Sequence, residues 1–115
     1  MYKFSYAEVL DDAGGERRGR EVMAIDHGIA LLRQADLSNV MEPSTRNALL
    51  YIQQLWGFFI RDLADSDNAL AEPVRADLIS IGLWVIREAD RILSGASTDL
   101  AGLIDINRTI RDGLK

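Results

Sequence analysis

Few residues in this chain have the types and spacing that chemistry needs. His27 is the single histidine and there is no cysteine. One imidazole cannot make a paired-histidine metal site, and without thiols there is no thiolate nucleophile, disulfide or sulfur-bound zinc or iron centre. On a helical wheel His27 falls opposite Ile25 and Ile29, where a solvated side chain belongs. Asp65-x-Asp67 starts like a calcium loop. However, Ala69, Leu70 and Ala76 stand where a ligand, the turn glycine and the bidentate acid are required. Gly14-Gly15-Glu16-Arg17-Arg18-Gly19 has neither the Gly-x-Gly-x-x-Gly nor the Walker spacing. No metal, cofactor or catalytic set is expected, and the chain is expected not to be an enzyme.

Two other groupings are more informative. Steps of 100° along residues 73–94 place Trp84 among Asp77, Ser80, Arg87, Glu88 and Arg91, away from the Leu78, Ile81 and Val85 stripe. An indole on a polar face needs a cover. Either an aromatic arm at the start of the chain folds over it, or a partner helix docks there, since Trp beside Arg is the composition of interface hot spots. Near the C-terminus Asn107 and Arg111, four residues apart, fall on the apolar face, and polar groups buried there need partners. A structural solution pairs Arg111 with Asp62 or Asp65 and bonds Asn107 to a loop carbonyl. The alternative is direct contact with a partner.

The elements that position these residues follow from size and periodicity. At 115 residues the chain suits one domain with one continuous core, without length for two. Its 48% hydrophobic and 27% charged composition fits a soluble protein, and the net charge of -5 argues against binding a phosphate backbone. The longest uncharged stretch, Asn47 to Ile60, falls short of the roughly 20 apolar residues of a membrane span. Met1-Tyr2-Lys3-Phe4-Ser5-Tyr6 carries no secretory leader pattern, so a cytoplasmic location is expected.

Apolar residues recur at helical spacing in four segments, predicting an all-α bundle with helices over about 16–37, 45–64, 73–94 and 98–112. Their stripes are Val22, Ile25, Ile29, Leu32; Leu49, Ile52, Trp56, Phe59, Leu63; Val74, Leu78, Ile81, Val85, Ala89, Ile92; and Leu100, Leu103, Ile104, Ile110, Leu114. Ser44 and Ser97 or Thr98 are candidate N-caps, Pro73 suits a first helical turn, and Gly95 and Gly113 suit helix stops. Ala24, Gly28 and Ala35 flank the first stripe, where small side chains let a neighbour approach, and Gly57 and Gly82 are read as close helix contacts. Residues 1–13, with Tyr2, Phe4 and Tyr6 alternating with polar residues, are expected to form an extended aromatic arm.

Three runs then resemble a known family. Leu55-Trp56-Gly57-Phe58-Phe59-Ile60-Arg61-Asp62-Leu63-Ala64, Arg75-Ala76-Asp77-Leu78-Ile79-Ser80-Ile81-Gly82-Leu83-Trp84-Val85 and Leu103-Ile104-Asp105-Ile106-Asn107-Arg108-Thr109-Ile110-Arg111-Asp112-Gly113-Leu114 are similar to the flagellar biosynthesis regulator FlaF family of alphaproteobacteria. The resemblance spans the chain, is strongest from Leu49 to Leu114 and is weakest over residues 16–40. It implies a small helical cytoplasmic protein needed for flagellin production and filament assembly. Such a protein acts alongside a flagellin-messenger regulator called FlbT and, in some members, binds flagellin as an export chaperone. Flagellin ends are amphipathic helices that must not assemble early, and surplus apolar faces on a bundle can hold one in a groove. The groove is expected at Tyr51, Phe58 and Trp84, with Arg87 and Arg91 facing acidic residues of the ligand. The competing readings are a regulator acting on the messenger through FlbT or RNA, and a homodimer that pairs the second apolar face of the 45–64 helix about a two-fold axis.

Overall fold

The computed structural model describes the backbone of residues 7–35 and 42–114, and side chains from residue 19 onward within these ranges. These residues form four helices and no strand: α1 (Ala7–Arg33), α2 (Pro43–Ala64), α3 (Glu72–Leu93) and α4 (Leu100–Gly113). The all-α bundle read from periodicity is therefore the fold. α1 starts earlier than the pattern suggests, taking in residues 7–13 of the expected arm. Ala7, Glu8, Leu10 and Ala13 are good helix formers, and the Gly14-Gly15 pair costs only about 1 kcal/mol per glycine in a long helix. Tyr2, Phe4 and Tyr6, and with them the arm as a cover for Trp84, lie outside the described residues.

The caps differ from those expected. Glu42, not Ser44, caps α2: its carboxylate accepts from the Ser44 N–H at 2.9 Å and from the Ser44 hydroxyl, with Pro43 filling the first turn. α4 is capped by Asp99, which accepts from Gly102 N–H at 2.9 Å, while Ser97 Oγ accepts from Asp99 N–H at 3.0 Å. A Cβ on Gly102 would run into the Asp99 carboxylate in this conformation, so a larger residue there would require that carboxylate to shift. α3 ends as Gly95 foretold. Its φ of +83° lets Ala96 N–H reach Arg91 O at 2.8 Å and Gly95 N–H reach Ile92 O at 3.1 Å, the two bonds of a Schellman stop. Gly113 is instead the last helical residue, followed by Leu114 in a right-handed conformation. Between α2 and α3, Asp65 and Asn68 accept from backbone N–H groups two residues on, forming the expected turn.

α2 is the hub. It packs along α3 most extensively and against α1, while α1 also lies on α4; α3 and α4 touch far less. The core joins Leu32 of α1, Leu49, Ile52 and Trp56 of α2, Val85, Ala89 and Ile92 of α3, and Leu103 of α4. Val74 of the α3 stripe remains exposed, in the first turn of a 22-residue helix whose neighbour α4 has only 14 residues. Two glycines set the helix separations. A Cβ on Gly28 would lie 2.8 Å from Ile52 Cδ1, and one on Gly82 would lie 2.8 Å from Trp56 Cε3 and 2.9 Å from Ile60 Cδ1. Gly57 does not share this role, since a Cβ there would meet only Arg61 Nη1, at 3.9 Å.

Gly57 of α2 and Gly82 of α3 should therefore respond in opposite senses to the same substitution. Gly82→Ala is expected to destabilise by about 1–3 kcal/mol, because the buried Trp56 ring cannot yield. Gly57→Ala should stabilise by about 0.5–1 kcal/mol through helix propensity. Urea unfolding of the two variants checks both signs.

Candidate functional site

The residues singled out from sequence fall into three separate places. Trp56, 1% exposed, lies in the centre of the bundle. Its indole N–H donates to Asn107 Oδ1 at 2.8 Å, and Asn107 Nδ2 donates to Leu103 O, one turn back on α4, at 2.7 Å. Phe59 presents its ring edge-on to Trp56 at 5.3 Å. Asn107 is thus buried for a structural reason, though its partner is the indole and not a loop carbonyl. Arg111, on the same face, reaches across to α1 and donates to Asp26 at 2.7 Å, with Asp112 2.9 Å from its Nε. Asp62 and Asp65, the partners expected for it, are engaged elsewhere: the Asp62 carboxylate accepts from Asn68 Nδ2 at 3.4 Å, and the Asp65 carboxylate accepts from Asp67 N–H at 2.9 Å. Asp26 lies 85 residues away in sequence, on the helix least constrained by the pattern, which is why spacing alone does not find it.

Tyr51 packs on α1. Its hydroxyl donates to Ala24 O at 2.9 Å and its ring meets exposed His27 edge-on at 5.1 Å. Burial pushes its phenol pKa above the ordinary value. Phe58 is 60% exposed and touches Phe59 at a tilt. Gln53, on another face of α2, bonds to α3, donating to Ile86 O at 3.0 Å and to Asp90 at 2.8 Å. The side of α2 carrying Tyr51 therefore faces α1, and the structure does not bring Tyr51 and Phe58 into one groove with Trp84.

Trp84 instead lines a cleft of about 430 Å³ between α3 and α4, together with Ile81 across from Gly102, Ile106 and Thr109. Asp99 and Asp105 complete its lining, with no basic residue among the described lining residues. Trp84 is 37% exposed. Ile106 escapes a reading of the sequence because it sits beside the Leu103 stripe, not on it. The two arginines expected beside Trp84 behave differently. Arg87 is exposed, whereas Arg91 folds back, 3.3 Å from Glu88 and donating to Ala96 O at 3.3 Å. Glu88, assigned to the polar face, is buried and also accepts from the Ser97 hydroxyl, so it ties the α3–α4 turn to α3.

Among the described residues no group of His, Cys, Asp and Glu could hold a metal ion, and no helix is long and apolar enough to cross a membrane. What the cleft offers is an apolar floor, one aromatic ring and carboxylates, the equipment of a docking surface. The family model described as flagellar protein FlaF matches residues 2–114, nearly the whole chain. No curated protein and no solved structure gives a significant match.

The Arg111–Asp26 pair, partly buried and well aligned, is expected to act on stability and not on docking. Arg111→Met should lower the unfolding free energy by about 1 kcal/mol and leave partner capture at the wild-type level. Unfolding and pull-down of the same variant test this. Full stability with lost capture would return Arg111 to the partner surface.

Proposed function

The chain belongs to the FlaF family of flagellar proteins, and on that premise we propose that it is a non-enzymatic, cytoplasmic regulator of flagellum biogenesis. In this reading it promotes flagellin production and filament assembly by binding flagellin as a chaperone. The observation that carries the reading is Trp84, held half-exposed in an apolar cleft between two helices of one small bundle. A chain this size gains from hiding such a ring, and an indole in a cleft flanked by polar residues matches the residues that dominate binding energy at interfaces. An amphipathic helix laid into the cleft covers its own apolar face and the indole together, which is what a chaperone of a self-assembling helical segment must do. Phe58 adds a second exposed ring, on the other side of α2, available to a further contact.

Co-purification of tagged protein from flagellated cells tests the proposal, with flagellin and FlbT quantified after nuclease treatment. Flagellin should be retained by wild type and reduced roughly tenfold by Trp84→Ala, a substitution that leaves Trp56 and the core in place. Equal retention by the variant, or recovery of FlbT without flagellin, would count against flagellin binding at this cleft.

A further inference from the structure

We infer that the α3–α4 cleft takes the apolar face of an amphipathic helix flanked by lysine and arginine, the opposite charge from the acidic ligand that Arg87 and Arg91 suggest in the sequence. The inference deepens the proposed function by fixing the chemistry of the segment that docks; it rests on that reading only for the partner being flagellin.

The floor of the cleft is apolar, with Ile81 and Trp84 of α3 facing Ile106 of α4. α3 and α4 touch far less than α2 and α3 do, and the described residues leave the seam between them unfilled. The rim is anionic. Asp99 and Asp105 line the cleft, and Asp77, exposed one turn before Ile81, continues the stripe that carries Ile81 and Trp84. Asp105 has a side chain 73% exposed with Arg108 only at 3.6 Å, a loose pair that leaves its charge open to a ligand. On the α3 side Arg91 is folded onto Glu88 and the Ala96 carbonyl, and the exposed Arg87 is not among the cleft's lining residues. Thr109 adds no competing donor, since its hydroxyl is bonded to Asp105 O at 2.9 Å. In a chain of net charge -5 the cleft therefore attracts a cationic helix and repels an anionic one. The occupant's apolar residues at i, i+3, i+4 and i+7 meet the floor and its basic flanks meet the three aspartates.

Two synthetic helical peptides of about five turns, sharing one Leu/Ile stripe but flanked by Lys or by Glu, separate the possibilities. Their binding to the full chain is read by fluorescence anisotropy of a labelled peptide at low salt. The Lys-flanked peptide should bind at least roughly tenfold more tightly, weaken with salt, and lose about tenfold on Trp84→Ala. Asp77→Lys combined with Asp105→Lys, both on the surface and neither a helix cap, should invert the preference. Equal binding of the two peptides, a preference that survives the double reversal, or no binding at all would overturn the inference. So would a dimer that Trp84→Ala converts to a monomer in sedimentation, since a second copy would then occupy the cleft. A Lys-flanked peptide bound by a protein that captures no flagellin would uphold the cleft chemistry and refute the flagellin reading. Flagellin captured by a protein that binds neither peptide would do the reverse.

Discussion

An indole N–H buried in an apolar core must find an acceptor, and the arrangement of this bundle depends on how that requirement is met. Trp56 is the largest fully buried side chain and brings one polar hydrogen into the middle of the core. Left unpaired, that donor would cost about 1–3 kcal/mol. Asn107 of α4 supplies the acceptor and satisfies its own amide on the Leu103 carbonyl. On its other side the ring needs space, which α3 yields by having glycine at position 82. One side chain of α2 therefore specifies both how close α3 comes and which residue of α4 faces inward. A bond of this kind fixes register more than it adds stability, because a slip of one residue on α4 would strand both partners.

The cleft follows from that register. With Asn107 turned to Trp56 and Arg111 turned to Asp26, α4 lies along α1, and Ile106 is left facing Trp84 across a gap. The turn between α3 and α4 is held by the Gly95 stop and by Glu88 bonded to Ser97 and Arg91, which ties the start of α4 to the end of α3. A short α4 beside a longer α3 leaves the far end open. The two sides of α4 thus differ, with the polar residues Asn107 and Arg111 turned to bonds within the bundle and Ile106 turned to the cleft.

Periodicity made the helices and most of the core legible, because apolar residues recurring every 3.6 positions are the direct imprint of a helix with one buried face. Helix ends were less legible. Glu42 and Asp99 outcompete nearby serines as caps, and serine, threonine and aspartate clustered at both ends gave several equivalent choices. Trp84 could be placed off the core from α3 alone, since one helix decides which way it points. The other members of the site could not. Whether Tyr51 shares a surface with Trp84, or Arg91 is free, depends on which helices are neighbours and on bonds such as Arg91 to Ala96 O, which a wheel does not contain. The resemblance to FlaF was readable because it rests on long runs of residues, and the family match over residues 2–114 agrees with it.

The register of α4 is tested most directly by a double-mutant cycle on Trp56→Phe and Asn107→Leu, followed by urea unfolding. If the buried bond sets that register, the two substitutions couple by about 1–2 kcal/mol, and the double variant is more stable than the sum of the single losses predicts. Strictly additive losses would mean that the indole and the amide lie side by side without depending on each other, and that something else holds α4 where it opens the cleft.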